Sequence, residues 1–177
     1  PVFYWPVLAT DLSQPSYYIR RFIYKQDQIF GTQILTGFDG FQILGMTQKP
    51  QGLDWTINAD YFSYRGPAGG STVTFHRPQF LGLKGELTGF LDGLYVHDTG
   101  LDRLGNNRYN IEPPTENRYR ILGRARQYLP ENWRITTEFG KISDVDFLEQ
   151  YYTQEWYQMK DETTGIDIKR LVENQSY

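Results

Sequence analysis

Arg118-Tyr119-Arg120-Ile121-Leu122-Gly123-Arg124-Ala125-Arg126-Gln127-Tyr128-Leu129-Pro130-Glu131-Asn132-Trp133-Arg134-Ile135-Thr136-Thr137-Glu138-Phe139-Gly140-Lys141-Ile142 reads as two strands and a turn. In the first strand Tyr119, Ile121, Gly123 and Ala125 share one face, and Arg118, Arg120, Arg124 and Arg126 share the other. In the second, Trp133, Ile135, Thr137 and Phe139 alternate with Arg134, Thr136, Glu138 and Gly140. Strand side chains repeat with period two, so the pattern predicts a hairpin with one apolar and one charged face. Leu129-Pro130-Glu131-Asn132 supplies the turn, with Pro130 presetting φ.

Working outward, most of the chain follows the same pattern. Leu53 to Tyr61 alternates cleanly, and Leu81 to Val96 is a long glycine-spaced strand. Tyr17 to Lys25 and Ser71 to His76 read as shorter strands, and Gly165 to Tyr177 as one more. The stretch 30–46 is β-rich but interrupted at Gly37, Asp39 and Gly40, which predicts a bent strand or two short ones. Lys49-Pro50-Gln51-Gly52 is a turn, 65–70 a Gly/Pro loop, and 98–110 a polar loop closed by Pro113-Pro114. Residues 1–12 are apolar and proline-punctuated, as in an edge strand or connector. One segment departs from period two: Val145, Phe147, Leu148, Tyr151, Tyr152, Trp156 and Met159 fit a helical face. A short helix is expected over 143–157, with Ser143 as N-cap. The chain starts at Pro1 and ends at Tyr177 inside an apparent strand, so a fragment of a longer protein is expected.

Composition narrows the class. Tyrosine and phenylalanine with frequent glycine are a β signature. The net charge of −3 argues against nucleic acid as a partner. Cysteine is absent, which removes disulfides and thiolate metal sites. No apolar run is long enough for a spanning helix, but barrel strands are only half apolar and escape that test.

No catalytic pattern stands out, and no enzyme activity or cofactor is expected. His76 and His97 lack metal-ligand spacing. Asp144 with Asp146, or Glu138 with Asp144, could form a glycosidase pair, but acids this close are more simply caps or solvated residues. Asp98, Asp102, Asn106 and Asn107 faintly suggest a cation loop without the EF-hand spacing, so a plain polar loop is preferred. Trp5, Trp55, Trp133 and Trp156 are too scattered for an obvious sugar-stacking platform. The arginine face has three readings: an anion-binding surface, a solvated face balanced by acids, or the polar lining of a barrel.

A family resemblance bears on that choice. Tyr109-Asn110-Ile111-Glu112-Pro113-Pro114, Arg118-Tyr119-Arg120, Gln127-Tyr128-Leu129-Pro130, and Ile142-Ser143-Asp144 with Phe147-Leu148-Glu149-Gln150-Tyr151 together resemble the LPS-assembly protein LptD family, the organic solvent tolerance proteins. The opening Pro1-Val2-Phe3-Tyr4-Trp5-Pro6 resembles that family's passage from its periplasmic β-domain into its barrel. The resemblance implies an all-β antiparallel meander forming part of a large outer-membrane β-barrel, with one short helix near 143–157. Residues 1–14 would end the periplasmic part and 15–177 would be the first barrel strands. It implies lipopolysaccharide transport to the outer leaflet of a Gram-negative-type outer membrane, without catalysis. Expected partners are lipopolysaccharide, a lipoprotein plug and a periplasmic bridge protein. Arg118, Arg120, Arg124 and Arg126 would face a hydrated lumen, and Tyr119, Ile121, Trp133, Ile135 and Phe139 would face lipid. Pro15, Tyr17, Tyr18 and Ile19 would lie near a lateral gate. The alternative is a soluble β-sandwich that binds carbohydrate.

Overall fold

The computed structural model describes residues 18–46, 48–80, 82–158, 164–172 and 175–176. Strands β1 (Ile19–Asp27) and β2 (Gly31–Asp39) form a hairpin, and a one-turn helix α1 (Gly40–Ile43) leads into β3 (Leu53–Phe62), β4 (Gly66–Phe80) and β5 (Leu83–His97). The connection that follows carries a small ladder of β6 (Asp102–Arg103) with β7 (Tyr109–Ile111). Next come β8 (Asn117–Leu129), a 3-10 turn (Pro130–Asn132), β9 (Trp133–Ile142), helices α2 (Val145–Tyr151) and α3 (Thr153–Tyr157), and strands β10 (Gly165–Val172) and β11 (Gln175–Ser176). The main sheet runs β1-β2-β3-β4-β5-β8-β9-β10-β11, with every neighbouring pair antiparallel. It is a meander of eight long strands and one two-residue strand. Among the described residues it stays open, with β1 and β11 at its edges.

The quoted hairpin forms as its alternation predicts, with Leu129 opposite Trp133 and Gly123 opposite Phe139. Glu131 and Asn132 turn the chain at φ 61° and 62°. Several expectations change. The Gly/Pro segment 65–70 is not a loop: from Gly66 onward it opens the fifteen-residue β4. Hydrogen-bonded neighbours on both sides, β3 and β5, override the local turn composition there. The interrupted stretch 30–46 becomes β2 followed by α1, because the Asp39 carboxylate accepts from the amides of Phe41 and Gln42 and starts a helical turn. The helix over 143–157 is two helices split at Tyr152, whose φ of −127° and ψ of 45° leave the helical region. Its cap is Asp144 rather than Ser143: the Asp144 side chain accepts from the Phe147 amide. The expected last strand breaks into β10 and β11. Residues 1–17, with the anticipated connector and the gate residues Pro15 and Tyr17, lie outside the described residues.

Register assigns every strand's residues to one of two faces. The first carries Phe22 and Tyr24 of β1, Ile34 and Phe38 of β2, and Trp55, Ile57 and Tyr61 of β3. It continues through Val73 and Phe75 of β4, Leu91 and Tyr95 of β5, and Tyr119 and Ile121 of β8. It ends with Trp133, Ile135 and Phe139 of β9 and Ile166 and Ile168 of β10. On this face Gly89 makes room for Phe75: a Cβ on Gly89 would meet the Phe75 ring at 2.5 Å. The second face carries Asp54, Thr56, Asn58 and Asp60, then Thr72, Thr74 and His76, then Arg118, Arg120, Arg124 and Arg126, then Arg134, Thr136 and Glu138.

Burial is inverted relative to a water-soluble domain. Large apolar side chains on the first face are exposed, among them Phe22 (63%), Leu91 (49%), Ile121 (39%) and Ile166 (71%). The buried residues include Gln33, Asp39, Arg65, Asp98, Asp102, Arg118, Arg120, Glu149 and Gln150. The apolar core is small and lies on the polar face, where Phe147 packs with Phe62, Ala68 and Val96, bordered by Phe30, Leu35, Leu94 and Tyr151. α2 and the connection after β5 thus fold over one end of the polar face and close it.

Candidate functional site

The closed end is organised by two arginines. Arg65 sits in the tight turn between β3 and β4, and Arg118 is the second residue of β8. Both side chains are buried, as are those of Asp98 and Asp102, which the connection after β5 carries inward. Nη1 of Arg65 lies 2.7 Å from Asp102 Oδ1 and 3.3 Å from Asp98 Oδ2. Nη1 of Arg118 lies 2.7 Å from the same Asp102 oxygen and 3.0 Å from Asp98 Oδ2. The rest of the Arg118 fork donates to Asp144, Nη2 to Oδ1 at 2.8 Å and Nε to Oδ2 at 3.2 Å.

Two of the carboxylates, Asp98 and Asp144, have further donors. The Tyr151 hydroxyl donates to Asp98 Oδ2 at 2.9 Å and the Gly100 amide to Asp98 Oδ1 at 3.0 Å. Ser143 donates its hydroxyl to Asp144 Oδ2 at 2.7 Å and accepts from the Tyr119 amide. Aromatic rings flank the cations, Phe147 and Tyr151 beside Arg118 and Phe30 beside Arg65. Gly100 is needed where it sits, because a Cβ there would lie 2.7 Å from Arg65 Cδ and 2.3 Å from the Tyr64 carbonyl oxygen. Buried charge is tolerated only when paired and hydrogen-bonded. Here three carboxylates surround two guanidiniums and every charged group is paired, while Arg65 Nη2 and Asp102 Oδ2 have no hydrogen-bond partner.

The Asp144 carboxyl is disfavoured as an anion by burial, but Arg118, Ser143 and the Phe147 amide outweigh that and hold it below the ordinary carboxylate range. Burial, with the Asp98 carboxylate alongside, pushes the Tyr151 phenol up. It therefore remains a donor at any physiological pH.

Further contacts fasten the helices. Arg120 reaches Glu155 at 2.7 Å and lies over the Tyr152 ring at 4.0 Å. Glu149 is bound by Arg108 and accepts from the Gly105 amide at 2.8 Å, and Gln150 accepts from the Arg103 amide at 2.8 Å. At the opposite end of the polar face Arg20 joins Asp39 and Asp54, each at 2.6 Å, and Lys49 adds a contact to Asp39.

The sequence-derived candidates fall as follows. Arg118, Arg120, Arg124 and Arg126 do share one face, but Arg118 and Arg120 are buried under the helices rather than hydrated. Arg124 pairs with Glu138 at 2.6 Å and stays partly exposed. Tyr119, Ile121, Trp133, Ile135 and Phe139 share the opposite face. Of the gate candidates, Tyr18 accepts from the Asp39 amide through its carbonyl and Ile19 pairs with Phe38 on the β1 edge. The suggested glycosidase acids are engaged elsewhere, Glu138 by Arg124, Asp144 by Arg118 and Asp146 by Arg108. Asp98 and Asp102 bind arginines, while Asn106 and Asn107 turn an exposed loop at positive φ. Among the described residues no group of three or more metal-binding side chains occurs. His76 faces Glu86 at 3.3 Å and His97 contacts Asn117 at 3.2 Å.

Sequence reasoning missed the part played by Arg65, Asp98 and Asp102. The available signal was an isolated arginine in a turn, together with two acids four residues apart just after an apolar strand. Comparison with family models, with curated proteins and with solved structures finds no match for this chain.

Proposed function

We propose that this sheet is part of the wall of an outer-membrane β-barrel, with the Ile121 face toward lipid and the arginine face toward a hydrated interior, and that the barrel serves lipopolysaccharide transport to the outer leaflet. The observation that carries the reading is the concentration of exposed large apolar residues on one face in seven of the eight long strands, Phe22, Ile34, Tyr61, Leu91, Ile121, Phe139 and Ile166 among them, against Ile23 and Tyr128 on the other face. In water such a face is unfavourable at roughly 25 cal/mol per Å² of apolar surface, and in a bilayer it is the stable arrangement. Seven of the eight long strands, at 9 to 15 residues, meet the ~9–11 that a tilted strand needs to cross a bilayer, and β10 has 8. Charged residues on the apolar face lie toward the strand ends, namely Arg77, Lys141 and Arg170. The two longest connections, 98–116 and 143–164, leave from the same end, and the 13-residue connection 40–52 leaves from the other. On this reading α2 and α3 form an inward-folded cap at the loop end.

The lipopolysaccharide assignment draws on the resemblance of 109–151 to the LPS-assembly proteins, together with the open sheet edges, which suit a segment of a larger barrel. A β-sandwich would need a second sheet over the apolar face, and among the described residues the only other sheet is the β6–β7 ladder. The test is depletion of the full-length protein in its host: surface lipopolysaccharide should fall while other outer-membrane proteins remain assembled. Unchanged surface lipopolysaccharide would reject the transport role.

A further inference from the structure

The polar face holds a second charged region, away from the capped end, that the ion pairs do not use up. Register sets it out in three rows across β8, β9 and β10. Arg124 stands opposite Glu138 and Gly165, Arg126 opposite Thr136 and Asp167, and Tyr128 opposite Arg134 and Lys169. Arg124 is taken by Glu138 at 2.6 Å and Lys169 by Asp167 at 2.8 Å. Arg126 and Arg134 have no carboxylate partner among the described residues, and the Nε atom of each is buried without an acceptor. They are diagonal neighbours, with the Thr136 hydroxyl between them and Lys169 beside Arg134. Together these groups line an open pocket of about 370 Å³.

We propose that this pocket is a binding site for a doubly charged phosphate-class anion, either free phosphate or a phosphomonoester group. The lining holds three cations, Arg126, Arg134 and Lys169, and two carboxylates, Glu138 and Asp167. Glu138 is neutralised by Arg124 from outside the lining and Asp167 by Lys169, so the charges of Arg126 and Arg134 are left over, which matches a dianion better than a single carboxylate. Two planar guanidinium forks arriving from adjacent strands can each donate bidentately to a tetrahedral oxyanion, with Thr136 as a neutral donor and Lys169 as a point charge. The site depends only on side-chain geometry and holds whether the face meets a barrel interior or bulk water.

The test is calorimetric titration of the full-length protein in detergent, at fixed ionic strength, with inorganic phosphate and with monomeric short-chain phosphatidic acid. Saturable binding of either probe is expected, weakened about ten-fold or more by Arg126→Gln and again by Arg134→Gln, with Lys141→Gln on the opposite face leaving it unchanged. Equal binding of both probes would identify the phosphoryl group itself as the determinant, and binding of phosphatidic acid alone would identify a lipid headgroup. Should Arg126→Gln fail to fold, Arg126→Lys keeps the charge without the fork and should bind several-fold more weakly. No saturable binding of either probe, or binding retained by the folded double glutamine variant, would overturn the proposal.

Discussion

Arg118 and Asp144 meet in a two-pronged pair, Nη2 to Oδ1 at 2.8 Å and Nε to Oδ2 at 3.2 Å, and the same carboxylate caps α2 through the Phe147 amide. One side chain thus ties the wall strand β8 to the helix that covers it. Asp144→Ala should remove the cap, worth ~0.5–2 kcal/mol, and also strip a partner from a buried guanidinium. The expected result is release of the 145–158 segment with the sheet intact, read as new protease cleavage confined to that segment.

Acid should act on the same joint. The folded-state pKa of Asp144 lies below its ordinary value of 3.8, so its contribution to stability is complete above that value and is lost as pH falls through the depressed one. Cap opening, followed by proteolysis with an acid-active protease or by the fluorescence of Trp156, should rise only below about pH 4. Asp144→Asn should flatten that acid transition and leave the cap looser at neutral pH.

The buried cluster should behave as a unit. Arg65→Met leaves Asp98 and Asp102 with one guanidinium between them, and Arg118→Met does the same while leaving Asp144 with none; each should cost about 3–5 kcal/mol. Arg65→Met combined with Asp98→Asn should recover part of the loss, because the excess charge is removed. Unfolding midpoints in denaturant for the two single variants and the double variant check this coupling, and strict additivity would refute it.

Gly89 offers a packing test. A Cβ there would approach the Arg124 carbonyl at 2.2 Å and the Phe75 ring at 2.5 Å, so Gly89→Ala should pry β5 from β8 at a cost of ~1–3 kcal/mol. The lower unfolding midpoint should be partly restored by Phe75→Leu, which relieves only the ring contact.

Period two made the strands at 53–61, 81–96 and 118–142 legible, because each has one apolar and one polar side. The start of β4 was hidden, since Gly66, Pro67, Gly69 and Gly70 carry turn chemistry and only the flanking strands hold them extended. The capped site was hidden for a different reason. Arg65 lies 33 residues from Asp98, and Arg118 lies 26 from Asp144, so no local pattern joins them; only the register of the meander does. The four-arginine face was visible as a face, but its division into buried Arg118 and Arg120 and pocket-lining Arg126 depends on where α2 and α3 land.

Orientation of the sheet is the claim on which the functional reading stands. Its most direct measurement compares the outer-membrane-assembled fraction of the full-length protein, scored by heat-modifiable gel mobility, for Ile121→Arg, Ile135→Arg and Arg124→Gln. A cation on a lipid-facing strand costs ~2–4 kcal/mol near the bilayer midplane, whereas loss of a half-exposed ion pair costs about 1 kcal/mol or less. The account predicts that both isoleucine variants lose most of the assembled form while Arg124→Gln keeps it. Equal tolerance on the two faces, or greater sensitivity at Arg124, would contradict it.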